Sequence, residues 1–329
     1  MLFLLTFTLI LTISAAAHAY FKGQLHLHTK LSDGNASPDT AARLYRSLGF
    51  DFICISDHDL WSDPKEVLTS CPKGLLVIGA QEISFMCRNR MNRLVPFHAN
   101  AIGTGARVNT PEIRESLSLS AEACVADTLK AGGVCMLNHP NFRFAYSFEE
   151  IQHIRQPYLL EIFNLHSGVP NQGSHVYPSH EKIWDTLLTQ GRTVYGTATD
   201  DAHYYDSHLR FKRNSPAMGW ILAEAERCDE AFIMDSLRRG RFLASTGLQP
   251  LEYEGTRDRL KLTLDAQDKY TRIEFIGRWG TLLKACDGPE GEYVPRGDEL
   301  YVRIKAYDET GAVLLTQPVF LDGRNEIIG

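Results

Sequence analysis

Short apolar segments of strand type alternate with amphipathic helical patterns along most of this chain, and this alternation constrains the fold more than any other feature. A strand pattern at 24–29 precedes a helical pattern at 39–48, and a second strand pattern follows at 51–57. Strands that are apolar on both faces are typical of sheets covered by helices. The order therefore predicts a parallel sheet or barrel, whose functional residues gather at the carboxyl ends of the strands.

The same two patterns recur further along the chain. The first helix has Ser37 as its candidate N-cap, Pro38 at its first position and Gly49 where it stops. Other strands are predicted at 75–83, 95–102, 134–138, 158–164, 193–198 and 219–223, and other helices at 121–131, 181–190 and 230–239.

The segment after about residue 250 has a different pattern. Alternating β-type runs with Asp-Gly and Pro-Glu-Gly turns predict a small all-β domain at 250–329, following a larger domain at 20–249. This region contains none of the twelve histidines of the chain. We expect it to be structural or to shield a site in the larger domain.

The first nineteen residues have the pattern of an export signal. An apolar block from Leu2 to Ile13 leads into a small-residue segment ending at Ala19, so residues 1–19 are predicted to be a signal peptide. The mature protein would begin near Tyr20 and be periplasmic or secreted. No Lys or Arg precedes the apolar block, so an uncleaved membrane anchor is the alternative.

Composition narrows the classes of function. A chain of 329 residues with ordinary apolar content can bury one large core and a small second one. Its net charge of -6 gives little electrostatic support for general binding to nucleic acid or anionic membranes. A small or modestly charged substrate is the expected partner, and the sequence leaves the oligomeric state open.

The seven cysteines form no C-x-x-C pair of the metal-binding kind. Cys54 and Cys135 lie inside apolar strand patterns, which favours small buried side chains. Cys71 and Cys87 flank a predicted strand and could pair in an oxidising compartment.

The chemistry begins in the first strand. His26 and His28 are two residues apart, so the strand period places both imidazoles on one face, where they can chelate one ion. Alone, such a pair is equally compatible with a structural or exposed role. Asp33 follows within a Ser-Asp-Gly turn, and His58 closes the second strand within Ser-Asp-His-Asp. Asp33 could equally serve only as a turn residue.

More candidates appear in or just after later strands. Imidazole with carboxylate suits zinc, manganese or iron, and the lack of thiolates argues against a closed structural zinc site. One histidine of this kind can be satisfied in a core, but the whole set is hard to explain that way. The additional candidates are Glu82, His98, His139, Asp201 and His203.

These motifs together resemble the polymerase and histidinol phosphatase (PHP) superfamily of metallohydrolases. The similarity covers H-x-H-T-x-x-S-D-G, the following D-H, the later Glu and His, N-H-P and D-x-H, over residues 24–203. It implies an α/β fold with a distorted seven-stranded βα barrel and two or three divalent metal ions at its mouth. The implied ligand sets are His26, His28, Glu82 and Asp201 for one ion, Glu82, His98 and His139 for a second, and Asp33, His58 and His203 for a third.

Adjacent cations would lower the pKa of a bridging water, so that hydroxide is available near neutral pH without a Ser or Cys nucleophile. Glu82 is assigned as the bridge because one carboxylate can bind two cations. We assign Glu82, Asp201 and His203 as the catalytic residues. Possible supporting residues, each individually more typical of a solvated loop, are Asp59, His153, His166, His175, His180 and His208.

The export signal and the β-type tail resemble the carbaryl-hydrolase-like (CehA/McbA-type) branch, which implies hydrolysis of phosphoesters or of carbamate or carboxyl esters. A phosphoesterase is our first expectation, because several cationic side chains fall in loops near the motifs. The alternatives are a metal-dependent binding module and a nuclease. The intact carboxylates Glu82 and Asp201 disfavour the binding module, and the negative net charge of the chain disfavours a nuclease. The nearby cationic residues are Lys30, Arg143, Arg210, Lys212 and Arg213.

Overall fold

The computed structural model describes residues 19–110, 113–206, 214–265 and 270–324. Helices and strands alternate through the first part, and strands dominate after residue 241. The helices are α1 (Pro38–Ser47), α2 (Pro64–Val67), α3 (Leu117–Lys130), α4 (Phe148–Ile151), α5 (His180–Thr189) and α6 (Glu230–Arg239). The strands are β1 (Ala19–Gln24), β2 (Phe52–Ile55), β3 (Leu76–Arg88), β4 (Leu94–Ile102), β5 (Val134–Leu137), β6 (Tyr158–Asn164), β7 (Val194–Thr199), β8 (Trp220–Ala225), β9 (Phe242–Ser245), β10 (Pro250–Gly255), β11 (Leu260–Leu264), β12 (Thr271–Gly277), β13 (Thr281–Asp287), β14 (Glu290–Tyr293), β15 (Tyr301–Asp308), β16 (Val313–Thr316) and β17 (Val319–Phe320).

The four predicted helices are present as α1, α3, α5 and α6, with ends shifted by up to a few residues. The start of α1 is the predicted one: the Ser37 side chain accepts a hydrogen bond from the backbone N–H of Thr40, and Pro38 is the first helical residue. The short helices α2 and α4 were not predicted. Each is a single turn in a connection between strands.

A large mixed sheet organises the described residues. Its hydrogen-bonded order is β13-β12-β15-β16-β9-β8-β1-β2-β3-β4-β5-β6-β7, with β17 beside β15, while β10, β11 and β14 form a second small sheet. Strands β1 to β3 are parallel to one another, and so are β5 to β7. These two parallel blocks, the loops that follow their strands and the strand β4 between them carry the residues singled out from the sequence.

The prediction of a parallel sheet is wrong at β4 and β8. Strand β4 pairs antiparallel with both β3 and β5, and β8 pairs antiparallel with β1. The physical reason at β4 is the length of the connection: β3 extends to Arg88 and β4 begins at Leu94. A parallel pair needs a crossover of about a dozen residues or more, so this short link can only form a hairpin.

The segments that follow β1 and β7 meet. Leu27 and Ala202 form a parallel bridge, the N–H of His28 donates to the carbonyl of Ala202 at 2.9 Å, and the N–H of Asp201 donates to the carbonyl of His26 at 3.1 Å. The carboxyl ends of β1 and β7 therefore lie side by side. Within the described residues β1 and β7 form no regular ladder, so the seven-stranded barrel stays a prediction.

The C-terminal strands extend the large sheet instead of standing apart from it. Strand β16 pairs with β9, and a single apolar core contains Phe275 and Ile304 from the tail together with Tyr45 and Ile53 from the first half. A chain cut after about residue 247 would expose both sides of that core. The division into domains at residue 250 stays a prediction.

All seven cysteines are described, and all are unpaired, so the possible Cys71–Cys87 disulfide is not present. Cys54 and Cys135 are fully buried, as predicted. Among the described residues no helix combines the length and apolar character needed to cross a bilayer. The predicted signal peptide lies outside the described residues except for Ala19, the first residue of β1.

Candidate metal centre

All nine residues predicted as metal ligands converge on one place. They come from the carboxyl end of β1 and the loop after it, the ends of β2, β5 and β7, and the interior of β3 and β4. In the first segment, Leu25 and Leu27 alternate with His26 and His28, and both leucines are fully buried. The nine are His26, His28, Asp33, His58, Glu82, His98, His139, Asp201 and His203.

Glu82 lies at the centre of this cluster and is only 1% exposed. Its Oε1 atom lies 3.3 Å from Nε2 of His26 and 3.2 Å from Nδ1 of His98. Its Oε2 atom lies 3.2 Å from Nε2 of His28 and 3.0 Å from Nδ1 of His58. Each oxygen therefore faces a different set of imidazoles, which is the arrangement a carboxylate shared by two cations needs.

Asp201 closes the deep side of the cluster. Its Oδ1 atom lies 3.3 Å from Nε2 of His26 and 3.1 Å from Nε2 of His28, and its Oδ2 atom accepts a hydrogen bond from the Asn164 amide. The two imidazoles are themselves only 3.1 Å apart at Nε2. One carboxylate oxygen and two ring nitrogens thus point at the same small volume.

Asp33 forms the outer side, where its side chain is 55% exposed. Its Oδ2 atom lies 3.4 Å from Nε2 of His203 and 3.7 Å from Nε2 of His58. Its Oδ1 atom lies 3.6 Å from Nδ1 of His28. Asp33 is therefore a part of the cluster and not only the turn residue that the Asp-Gly pair allowed.

These separations fit metal coordination. Ligand atoms held about 2.1 Å from a tetrahedral ion lie roughly 3.4 Å from one another, close to the distances found here. Glu82 Oε2 is buried and makes no hydrogen bond, although a buried carboxylate oxygen requires a partner. A divalent cation would supply that partner.

The geometry groups the ligand atoms in four overlapping sets, which differ from the three implied by the resemblance. His139 lies with His26 and Asp201, and His28 lies within reach of the outer group as well as the inner one. How the side chains divide among two or three ions stays a prediction. The four sets are His28, Asp33, His58 and His203; His26, His139 and Asp201; His26, His28 and Glu82; and His58, Glu82 and His98.

Burial and charge act against each other in the cluster. Burial alone would raise the pKa of Glu82, but the positive charge of His26, His98 and His58 holds it well below its ordinary value. Burial alone would lower the pKa of His28, but the Asp201 and Glu82 carboxylates raise it to about 9. The negative carboxylates and the positive imidazoles thus offset for each other the cost of burying a charge. Bound cations would offset the buried negative charge of the carboxylates in the same way.

Two of the ligand residues have strained backbones. His139 has φ 26° and Asp201 has φ 50°, a region that side chains with a Cβ rarely adopt. Strain of this kind costs of the order of 1–3 kcal/mol per residue and collects at functional sites. The strain here places side chains immediately after β5 and β7, where they turn into the cluster.

Sequence reasoning missed Glu161, a fully buried carboxylate in the middle of β6. Its Oε1 atom accepts from Nδ1 of His26 at 2.7 Å and from the Thr199 hydroxyl at 2.6 Å. Its Oε2 atom accepts from the N–H of His139 at 2.8 Å and from the Asn164 amide at 2.9 Å. A Glu inside the apolar run Leu-Leu-Glu-Ile-Phe was the available signal, since a buried charge needs partners.

Glu161→Gln is expected to weaken metal binding by about 10-fold to 100-fold, the usual cost of losing a partner that orients a ligand. All four groups facing Glu161 donate, so the amide of Gln would put an N–H against two of them. Titration of the metal-depleted variant with zinc measures the effect. Glu299→Gln is the control, because Glu299 is also buried and accepts hydrogen bonds from three donor groups, but lies in the tail. Equal zinc affinity in both variants would contradict the role of Glu161.

Three other carboxylates support the site without facing its centre. Asp57 accepts from the N–H and hydroxyl of Thr29 and from the Ser32 hydroxyl, and so shapes the loop between His28 and Asp33. Asp59, weighed as a supporting residue, accepts from the N–H of Ser84 in β3. Asp200 accepts from the Tyr45 hydroxyl and from three backbone N–H groups at 217–219.

His180 is a second supporting residue, at the start of α5. Its Nε2 atom accepts the backbone N–H of Asn141 at 2.9 Å, two residues after His139. Burial lowers its pKa to about 3, so the ring is neutral in the folded protein. An unfolded chain gives histidine a pKa near 6.5, so between these values the unfolded state binds a proton that the folded state does not.

The stabilisation from His180 should therefore be complete above pH 6.5 and lost as the pH falls, at about 1.4 kcal/mol per pH unit. His180→Gln keeps an oxygen that can accept the Asn141 N–H but does not titrate. The slope of the free energy of unfolding against pH should therefore be smaller in this variant, by an amount that corresponds to the binding of at most one proton. Urea unfolding at several values between pH 6.5 and 5 measures this slope. His175→Gln, on an exposed loop, is the control; identical slopes for the two variants would refute the assignment.

A cavity opens onto the cluster, with a volume of about 210 Å³. Sites for drug-sized ligands usually measure roughly 300–1,000 Å³, so this one suits a single reacting group with the rest of the substrate outside. Its wall consists of seven of the predicted ligands together with Phe142 and His166. Among the described residues the wall contains no Lys or Arg.

The predicted cationic residues are only partly described. Lys30 and Arg143 are exposed, and the Arg143 guanidinium lies 5.6 Å from the ring of Phe142, at the rim of the cavity. His208, Arg210, Lys212 and Arg213 lie outside the described residues. Of the other histidines weighed as supporting residues, His166 reaches the cavity wall, while His153 and His175 do not.

Comparison with known proteins finds no matching family model and no matching curated protein. Several solved structures are similar, among them the following three. A two-domain protein from Bacteroides vulgatus containing a predicted PHP-like metal-dependent phosphoesterase has 16% identity and a TM-score of 0.45, covering 88% of this chain and 90% of its own. A candidate metal-dependent phosphoesterase from Bifidobacterium adolescentis has 17% identity and a TM-score of 0.38, covering 55% and 87%. An amidohydrolase from Chromobacterium violaceum with bound sulfate and no metal has 13% identity and a TM-score of 0.34, covering 55% and 87%.

Proposed function

We propose that this protein is an exported metal-dependent hydrolase of the PHP type, with phosphoesters as its first candidate substrate class. The observation that carries the proposal is the convergence of six histidines and three carboxylates on one cavity, with the oxygens of Glu82 facing two different sets of imidazoles. When bound there, two or three divalent cations supply a water of lowered pKa and neutralise charge on the attacked group. The other roles in this proposal, which are to bind and orient these cations, belong to side chains of the protein.

The side chains have separable roles in this proposal. Glu82 would help to hold the cations, since its two buried oxygens face different sets of imidazoles. Asp201 completes the inner group with His26 and His28, and His203 with Asp33 completes the outer group. Glu161 fixes the ring of His26 through Nδ1, so that Nε2 faces the carboxylates of Glu82 and Asp201.

A carbamate or carboxyl ester is the second substrate class, within the carbaryl-hydrolase-like branch. The observation that favours it is the described wall of the cavity, where Phe142 is present and no Lys or Arg is. A phosphate dianion usually gains from cationic donors, whereas a neutral ester does not need them. Arg143, whose guanidinium lies 5.6 Å from the ring of Phe142, supports phosphoesters as the first class, and so do Arg210, Lys212 and Arg213 by their place near the motifs in the sequence.

A panel of chromogenic phosphate monoesters, phosphodiesters, carboxyl esters and naphthyl carbamates, run on zinc-loaded and manganese-loaded protein, tests the proposal. We expect hydrolysis of a phosphoester that ceases when a chelator removes the metal. Rapid turnover of a carbamate with none of any phosphoester would reverse the order of the two classes. Metal binding without turnover of any member would favour the binding module and defeat the proposal of a hydrolase.

Export is the remaining part of the proposal, and it is supported by the apolar block and small-residue segment at 1–19. Expression of the full chain in a bacterial host, followed by fractionation and N-terminal sequencing, tests it. We expect a periplasmic or secreted protein that begins near Tyr20. A membrane-bound product that retains Met1 would show an uncleaved anchor instead.

A further inference from the structure

His166 lies in the wall of the metal cavity but does not share the environment of the metal ligands. Its ring centroid is 5.5 Å from that of His203 and 6.1 Å from that of Phe142, and both pairs are edge-to-face. The side chain is half-buried, and it is absent from the four ligand groups. A polar ring in this position requires an explanation other than coordination.

The hydrogen bond at Nδ1 fixes the protonation state of the ring. Nδ1 of His166 accepts the backbone N–H of Gly168 at 3.0 Å, so this nitrogen carries a lone pair and no proton. A neutral imidazole has one protonated nitrogen, and that nitrogen must therefore be Nε2. In this tautomer Nε2 is a hydrogen-bond donor and cannot also be a metal ligand.

Backbone contacts hold this donor in a fixed relation to the metal ligands. The N–H of His166 donates to the side-chain oxygen of Asn164 at 2.9 Å. The amide nitrogen of the same Asn164 donates to Asp201 and to Glu161. The backbone N–H of the following residue, Ser167, donates to the side-chain oxygen of Asn214 at 2.8 Å. Asn164 thus links the turn that carries His166 directly to the innermost carboxylates.

We propose that His166 is a substrate-binding residue of this site, whose neutral Nε2–H donates a hydrogen bond to an oxygen of the ester group under attack. This inference rests on the proposed function. As that oxygen gains negative charge in the transition state, the hydrogen bond becomes stronger, which lowers the barrier. His166 keeps its proton throughout, because an imidazole that loses its last proton becomes an anion, in a cavity already lined by the carboxylates of Asp33, Glu82 and Asp201.

Two substitutions separate the donor from the ring. His166→Phe keeps a planar ring without a donor, and His166→Gln keeps a donor without the ring. We expect His166→Phe to lower kcat by roughly 100-fold to 1,000-fold, as when one donor to a developing oxyanion is removed. KM should change much less, and His166→Gln should recover part of the loss. The matched control, His175→Phe, places the same change on an exposed loop and should behave as the parent.

Two further measurements distinguish this role from others. Metal content, measured by elemental analysis, should be unchanged in His166→Phe; loss of metal from the folded variant would make His166 a ligand and overturn the inference. The alkaline limb of the pH profile of kcat should stay in place; its disappearance in His166→Phe would show a proton-donating acid instead. Unchanged kcat in His166→Phe would also overturn the inference.

A readout without turnover separates this inference from the proposed function. Inorganic phosphate is titrated into the zinc-loaded parent and variants, with nitrogen NMR of the histidine rings to assign the tautomer. We expect Nε2 of His166 to be protonated and phosphate to bind about tenfold more weakly to His166→Phe, the scale of one hydrogen bond to a charged group. If the parent hydrolyses nothing while this difference remains, the proposed function fails and the donor role stands. Protonation at Nδ1 would defeat the donor role alone.

Discussion

Glu82→Gln is expected to lose bound metal and to lower hydrolytic turnover by at least about two orders of magnitude. The substitution keeps nearly the same shape and removes the charge, so it separates electrostatics from packing. Glu82 is buried, and its two oxygens lie within 3.3 Å of four imidazoles. Without the anion, the repulsion between neighbouring cations is less compensated in a site shielded from water. Elemental analysis and the ester panel measure the two effects.

The control for this variant is Glu150→Gln. Glu150 is also buried, at 2% exposure, but it lies outside the cluster. Its carboxylate accepts hydrogen bonds from the backbone N–H of Ser147, at the start of α4, and from the backbone N–H of Arg90. The loss of a buried charge there should cost stability and leave metal content unchanged. Full metal and near-parent turnover in Glu82→Gln would mean that the bridge lies elsewhere and that the ligand sets must be redrawn.

The residues that converge on the candidate metal centre could be predicted because each belongs to a local pattern. The strand period alone places His26 and His28 on one face, and the ends of neighbouring strands meet without any knowledge of long-range contacts. His139 and Asp201 follow apolar runs in the same way. Their positive φ values were not predictable, since they arise from chain segments that approach only in the folded protein.

The supporting residues were harder to predict because their partners are far away in the sequence. Glu161 orients His26 across 135 positions, and nothing near either residue indicates the pairing. His166 was weighed only as one loop histidine among several, because its role depends on a backbone N–H and on the cavity around it. The hairpin of β3 and β4 was missed for a different reason: the predicted strands ended at residue 83 and resumed at 95, whereas β3 extends to Arg88. The connection that remains before Leu94 is too short for a parallel crossover.

Arg303→Met is expected to lower the free energy of unfolding by about 3–5 kcal/mol, the cost of leaving a buried charge without its partner. Arg303, in β15, is 1% exposed and donates to both oxygens of Asp185 in α5, at 2.9 and 2.8 Å. Its guanidinium also reaches Glu181 at 3.2 Å and lies 4.8 Å from the ring of Trp184. These contacts form a polar connection between strand β15 of the tail and helix α5.

Arg272→Met provides the contrast. Arg272 also pairs with carboxylates, Glu274 and Asp287, but the Asp287 side chain is 63% exposed and water can replace the contact. Exposed pairs usually contribute about 0–1 kcal/mol, so urea unfolding should show a much smaller loss for this variant. The double variant Arg303→Met with Asp185→Asn should be more stable than Arg303→Met alone, since the uncompensated carboxylate is gone.

The same variants test the role assigned to the tail without cutting the shared core. If the tail is structural, folded Arg303→Met should keep its full metal content under conditions where it is less stable, because none of the ligands lies after residue 203. Loss of metal from the folded variant would place the tail within the site. A cost no larger than that of Arg272→Met would mean that the apolar core, and not this ion pair, holds β15 against α5.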